Sequence, residues 1–260
     1  MVFALTGCSS HSSHAPKAAL PTAITVQAVQ PEKRHVAIPA TSGESGYADV
    51  TQWPDACAFV SKAELTAVFP QAADISFEAH DVDLKTTRGR EIGVAKKADC
   101  TIDLLFPGRF TDKAGATYRY GFTFDIGLDG VGDPQWMKHD YDEDRRAMKE
   151  AAGESSLGPD GKWAKGYWSA RRDLGPGECF TDDGTWECHE KRMIFKVGVR
   201  LSGMPTGEHM NSRLRFDVAG QAPQVVDMVD LDLANESHRF VVQNVVTRLV
   251  QLVSAKSTSR

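Results

Sequence analysis

Apolar and polar residues alternate most regularly between Tyr118 and Leu128. Tyr118, Tyr120, Phe122, Phe124, Ile126 and Leu128 take every second position, with Arg119, Gly121, Thr123, Asp125 and Gly127 between them. Successive side chains of a strand point to opposite faces, so this run predicts a half-buried strand with one apolar face that another layer must cover. Met193, Phe195, Val197, Val199 and Leu201 alternate in the same way with Lys196, Gly198 and Arg200, and Cys100, Ile102, Leu104 and Phe106 alternate with Thr101 and Asp103. Shorter strands are expected near 75–79 and 92–95 and at Leu214, Phe216 and Val218. Cys179 and Cys188 flank Thr181-Asp182-Asp183-Gly184, whose Asp-Gly chemistry predicts a hairpin turn.

Helical spacing appears in three places. In Pro54-Asp55-Ala56-Cys57-Ala58-Phe59-Val60-Ser61-Lys62-Ala63-Glu64-Leu65, Ser61 is a good N-cap and Glu64 completes a capping box. Val60 and Leu65 are placed for a hydrophobic staple, and Pro70 ends the helix. Asp133-Pro134 is an N-cap followed by proline in the first turn, which predicts a helix to about Gly153 with Met137, Tyr141, Met148 and Ala151 on one side and Asp144 interrupting them. A last helix is expected over 236–255, with Val241, Val242, Val245, Leu249 and Val253 buried and Asn244, Thr247, Arg248 and Gln251 as a polar stripe. A membrane span needs about 20 mainly apolar residues, so that stripe makes this a core-covering helix. Helix, strands, long helix, strands, helix predicts an α+β class: an antiparallel sheet packed against helices, in one globular domain over 51–256.

The chain has 260 residues, and its 30 basic and 35 acidic residues give a net charge of −5. That balance offers no electrostatic footprint for nucleic acid. Residues 9–50 are rich in Ser, Ala, Pro, Thr, Gly and His and predict a flexible tether. Just before it, Leu5-Thr6-Gly7-Cys8 resembles the lipobox of bacterial lipoproteins. The resemblance implies a signal-peptide remnant over 1–7, cleavage before Cys8, diacylation of its thiol, and a domain held at the outer face of the cytoplasmic membrane. Cys8, His11 and His14 also invite a metal reading, but two histidines in a flexible segment bind weakly and acylation blocks the thiol. Neither a metal nor another cofactor is expected.

Setting Cys8 aside leaves an even number of cysteines, as an oxidising compartment favours. Three pairings are possible. Cys57 with Cys100 and Cys179 with Cys188 is preferred because each pair lies within one local unit, and closing the two loops would contribute roughly 4 and 2.5 to 3 kcal/mol. A four-cysteine zinc site lacks any C-x2-C pair. The helix start from Cys57 to Glu64, followed by Ala98-Asp99-Cys100-Thr101-Ile102, resembles a family of actinobacterial secreted lipoproteins of unknown function. The resemblance covers mainly 54–106. It implies export, an α+β fold and a bond between Cys57 and Cys100, and it supplies no catalytic residues.

Chemistry-bearing motifs are sparse. There is no G-x-S-x-G elbow and no H-E-x-x-H helix. The His139, Asp140, Asp142, Glu143, Asp144 cluster, with Arg145 and Arg146 beside it, is read as a solvated helix face with local ion pairs, not a cation site. The Asp227, Asp230, Asp232 run lacks a calcium-loop frame. Trp163, Tyr167, Trp168, Arg171 and Arg172 lie among Gly- and Pro-rich turns and form the candidate binding surface, since aromatic and arginine side chains dominate interfaces; their competing role is a core strand. The expectation is therefore a lipid-anchored, non-catalytic binding or interaction module of the bacterial cell envelope, with an unknown envelope protein or small ligand as partner. The alternatives are an extracellular hydrolase of unfamiliar type, built around His189 or His139, and a regulatory subunit docking on another envelope protein.

Overall fold

The computed structural model describes residues 23–40, 43, 45–85, 91–107, 110–111, 117–119, 121–153, 155–157, 163–165, 168–171, 178–182, 185–202, 213–227 and 240–257. In chain order its elements are β1 (Ile24–Val26), α1 (Lys62–Val68), β2 (Asp74–Lys85), β3 (Glu91–Leu105), β4 (Phe110–Thr111), β5 (Thr117–Tyr118) and β6 (Gly121–Val131). Then follow α2 (Pro134–Gly153), β7 (Ser155–Leu157), β8 (Trp163–Lys165), β9 (Trp168–Arg171), β10 (Glu178–Asp182), β11 (Thr185–Glu190) and β12 (Met193–Ser202). β13 (Arg213–Val218), β14 (Gln224–Asp227) and α3 (Thr247–Ser257) close the chain, α3 continuing a π-helical turn over Val242–Val246. The fold is α+β. Its main sheet has seven strands in the order β2-β3-β6-β12-β11-β10-β9, and every neighbouring pair in it is antiparallel.

The alternation places Phe122, Phe124, Ile126, Leu128, Phe195 and Val197 in the core. α1 and α3 cover that face. The capping box predicted at Ser61 and Glu64 forms in both directions, and the helix stops at Phe69, whose ring lies against Phe106, Phe122 and Phe124. Burying each such aromatic stabilises the fold by about 1.5 to 3 kcal/mol. On the same sheet face, in register with Val197, Trp186 donates its indole N–H to Val242 O at 2.9 Å. A π-helical turn disturbs the regular ladder of backbone bonds, and this donor meets a carbonyl within it. The disulfides join Cys57 to Cys100 and Cys179 to Cys188; the second pair occupies directly opposed positions of β10 and β11.

Four features differ from the sequence reading. The segment read as a tether to residue 50 is built into the domain from residue 23: β1 lies parallel to β13, Gln27 donates to Val68 O and Val36 to Lys256 O, and the Arg192 side chain donates to Pro39 O at 3.0 Å. Its backbone finds partners without apolar periodicity, which is why composition alone hid it; Cys8 and residues 9–22 lie outside the described residues. The strands expected near 75–79 and 92–95 belong to one long hairpin, β2 with β3, in which a register shift between His80 and Val82 and a left-handed Lys97 (φ 55°) reset the alternation. The long run at Tyr118 is divided, Tyr118 lying in β5 and Tyr120 outside the described residues. Finally, the polar stripe of the last helix is covered: Gln221 donates to Asn244 Oδ1 at 2.6 Å, Arg248 to Ala219 O at 3.3 Å, and Thr247 is buried. Among the described residues, no helix is long and apolar enough to cross a membrane.

One buried ion pair ties the two ends of the domain together. Glu64 accepts from the backbone N–H of Glu32 and of Ser61, each at 2.9 Å, and from the Lys256 ammonium. Both side chains are almost fully buried. Burial acts to raise the Glu64 carboxyl, but these donors outweigh it and hold the group below its usual range.

Candidate functional site

The polar face of the main sheet carries the chemistry. Asp125, Gly127 and Asp129 of β6 stand beside Lys196, Gly198 and Arg200 of β12, and Glu187 of β11 is the register partner of Lys196. α2 covers one end of this face: Tyr141 packs its ring against Phe180 and His189, and a Cβ on Gly130 would meet Met137 Sδ at 2.8 Å. Asp133 starts the helix as expected, accepting from the backbone N–H of Gln135 at 2.9 Å and Trp136 at 3.2 Å. At the edge of α2, the far part of the β2–β3 hairpin faces the helix and leaves a cleft of about 250 Å³. Val82, Asp83, Leu84 and Lys85 line one wall and Asp140 and Asp144 the other; Asp129, Ile194 and Lys196 line the floor and Tyr47 closes one end. A second, wider groove of about 420 Å³ shares Val82, Asp129 and Lys196 with it and continues past Asp99, Asp125 and Arg200.

Charge in the cleft is unevenly matched. Lys196 Nζ lies 2.6 Å from Asp129 Oδ2 and 3.3 Å from Glu187 Oε2. Burial works against its charge, but the two carboxylates prevail and raise its pKa above the usual lysine value. One ammonium thus serves two carboxyl groups. Glu187 is only 4 % exposed, and its Oε1 has no hydrogen-bond partner among the described residues. Burial, only partly offset by Lys196 and reinforced by Asp129 and Asp144, pushes its pKa up to about 8. Asp144 is raised too, first by burial and then by Asp129 and Asp140, with Lys196 opposing. Asp140 accepts from the Tyr47 hydroxyl, whose own pKa burial and this carboxylate raise. Perturbed acids converging on a concave surface are the pattern that marks functional sites.

The acidic helix face read as solvated is therefore only half so. Asp142 pairs with Lys138 at 2.5 Å and His139 with Glu143 at 3.6 Å, as expected for local ion pairs. Asp140 is buried and Asp144 half-buried, and both line the cleft. The cause is the rotation of α2: positions 137, 140, 141 and 144 fall on the side that meets the sheet. Asp144 breaking the apolar stripe was the one sequence signal of this site. Glu187 gave none, since its neighbours Trp186 and Cys188 made the strand read as a hairpin arm.

The other sequence candidates fall elsewhere. Trp163 lies on β8 opposite Leu157, and Trp168 and Arg171 lie on β9, the edge strand, opposite Asp182 and Cys179; Tyr167 and Arg172 are outside the described residues. His189 Nε2 is 3.0 Å from Lys191 O and burial lowers its pKa. It lines an open groove with Pro134, Gln135, Lys138, Lys191 and Arg192, which contains no serine, cysteine or carboxylate. Among the described residues, no group of three or more His, Cys, Asp or Glu could hold a metal ion; Asp230 and Asp232 are outside them. Compared with family models, curated proteins and solved structures, the chain has no match.

Proposed function

We propose that this chain is an exported lipoprotein, acylated at Cys8 and held at the outer face of the bacterial cytoplasmic membrane, where its domain acts as a non-catalytic binding module. The observation that carries the reading is the pair of disulfides, Cys57 with Cys100 and Cys179 with Cys188, because such bonds persist in oxidising compartments and are rare in the cytosol. The lipobox-like Leu5-Thr6-Gly7-Cys8 and the polar residues after it supply the anchor and the spacer. The cleft between α2 and the β2–β3 hairpin supplies the binding site, with Asp83, Lys85, Asp129, Asp140, Asp144 and Lys196 as its charged groups and Glu187 buried behind Lys196. Docking of an envelope protein through the segment holding Trp163, Tyr167, Trp168, Arg171 and Arg172 is the competing arrangement. Detergent-phase partitioning of the full chain tests the anchor: wild type enters the detergent phase and Cys8→Ala stays in the aqueous phase, whereas identical partitioning of the two overturns the lipoprotein reading.

One observation favours a hydrolase as a second reading, namely the raised pKa of Glu187 close to Asp129 and Asp144, since an acid and a base with separated pKa values divide the work of hydrolysis. In that case Glu187→Gln abolishes turnover in a screen of ester, peptide and glycoside substrates. Absence of turnover by wild type across the screen leaves the binding reading in place.

A further inference from the structure

We propose that the groove between the start of α2 and the β11–β12 turn binds a dianionic phosphate monoester, held by Lys191 and Arg192. The groove shares no residue with the cleft described above, and the inference does not rest on that cleft.

The β11–β12 turn is built against its local preference. Glu190, the last residue of β11, is the register partner of Met193, the first of β12, so Lys191 and Arg192 form a two-residue hairpin loop. Lys191 takes a left-handed backbone with φ 50°. Loops of this length favour Asn-Gly or Asp-Gly, because those residues enter the left-handed region at less cost than lysine does. The fold keeps two long cations where its backbone prefers small residues, and departures of this kind cluster at functional positions.

The charge around the turn is unmatched. The groove, of about 680 Å³, is lined by Pro134, Gln135, Lys138, His189, Lys191 and Arg192. Lys138 is already paired with Asp142 at 2.5 Å and lies 4.0 Å from Glu178. The Arg192 guanidinium donates to the carbonyl oxygens of Pro39 and Ala40, which occupy N–H groups and leave the charge uncompensated. Among the described residues, no carboxylate forms an ion pair with Arg192 or with the Lys191 ammonium. Glu190, their neighbour in sequence, is buried and accepts from Ser254. Two free positive charges thus line one concave surface of a chain whose net charge is −5. The start of α2 adds little to them, since the Asp133 carboxylate already takes the N–H groups of Gln135 and Trp136.

Charge number and size select the class. A phosphate monoester carries about −1.5 to −2 near neutral pH, which balances two cations where a carboxylate or a phosphate diester balances one. Lysine and arginine also supply several N–H donors to the phosphate oxygens. The groove falls within the range of small-molecule sites, about 300 to 1,000 Å³, so the phosphate has room to carry a group of glycerol or sugar size. The Pro134 ring and the methylene stem of Lys138 give that group an apolar wall.

Calorimetry on the full chain at low ionic strength tests this, with glycerol 3-phosphate as the soluble monoester and dimethyl phosphate as the single-charge control. For the lipid-borne form of the same group, Cys8→Ala is titrated with phosphatidylcholine vesicles containing phosphatidic acid, so that the anchor does not contribute. The expected result is saturable binding of glycerol 3-phosphate, about tenfold tighter than dimethyl phosphate and about tenfold weaker in Lys191→Asn. The same variant should keep its Tm or gain up to about 4 °C, because asparagine suits the left-handed turn. Lys191→Gly removes the same charge with another residue the turn accepts, should asparagine disturb the hairpin. Binding of phosphatidic acid vesicles alone, or of glycerol 3-phosphate alone, supports the proposal and identifies the source of the monoester. Equal binding of dimethyl phosphate overturns the ligand class. Absence of binding by both monoesters, affinity unchanged in the Lys191 variants, or affinity lost only together with Tm in both of them overturns the proposal; none of these results bears on the cleft or on the Cys8→Ala partitioning.

Discussion

Two buried glutamates in this domain each pair with a lysine, and their environments have opposite consequences. At Glu64 and Lys256 the carboxylate accepts from the backbone N–H of Glu32 and Ser61 as well as from the lysine, and its pKa is lowered. At Glu187 and Lys196 the lysine is shared with Asp129, one carboxyl oxygen has no partner, and the pKa rises to about 8. The two carboxyl groups are similarly buried, but Lys256 is buried where Lys196 is 40 % exposed, and acceptor satisfaction differs as well. A fully hydrogen-bonded pair fixes one geometry, and here it clamps the N-terminal segment, the first helix and the last helix together. A pair with surplus negative charge next to a cleft is poised to change protonation or to accept a ligand. The comparison separates a satisfied ion pair from an unsatisfied one on grounds that burial alone would miss.

Breaking the clamp gives the largest effect. Lys256→Ala leaves Glu64 buried without its counter-charge and is expected to cost about 3 to 5 kcal/mol in chemical denaturation at pH 7. A change below 1 kcal/mol would mean that the backbone donors alone satisfy Glu64.

The second pair is sharpened by pH. Because burial raises the Glu187 pKa from about 4.5 to about 8, the folded state keeps a proton that the unfolded state gives up within that window. Its contribution to stability is present below the lower value and is lost as pH rises towards 8. The loss in wild type is up to about 5 kcal/mol across the window, at about 1.4 kcal/mol per pKa unit. Glu187→Gln should lose far less, so thermal melts of the two proteins diverge as the pH increases. Parallel curves would show that Glu187 is ionised throughout.

The smallest of the three effects tests the clamp's local setting. Ser61→Ala removes the hydroxyl that accepts from Glu64 N at 3.1 Å and should cost about 1 kcal/mol by denaturation. The loss should be the same at pH 6 and pH 8.5, because the Glu64 carboxyl at this cap is held below its usual range.

The clamp was half legible in the sequence. Ser61 and Glu64 announce a capping box three residues apart, but nothing in the spacing says that Glu64 also binds Lys256, because that contact spans 192 positions. The alternating strands and the cysteine pairs were legible for the same local reason, each lying within one hairpin or one helix-and-strand unit. The cleft was not. Asp140 and Asp144 look like any acidic helix face until the sheet is placed beside them. Glu187 becomes unusual first through its burial and then through Asp129 and Asp144, opposed by Lys196, all of which reach it from other elements. Patterns of period two and 3.6 reveal which side of an element is apolar. They do not reveal which polar residues meet across a tertiary gap.

The most direct test of the contrast is a carboxyl-carbon NMR titration of wild type and Glu187→Gln, with Glu64→Gln used to assign the other signal. The account predicts one glutamate titrating near pH 8, absent from Glu187→Gln, and one titrating below the usual carboxylate range, absent from Glu64→Gln. Two glutamates titrating together within the ordinary range would contradict it.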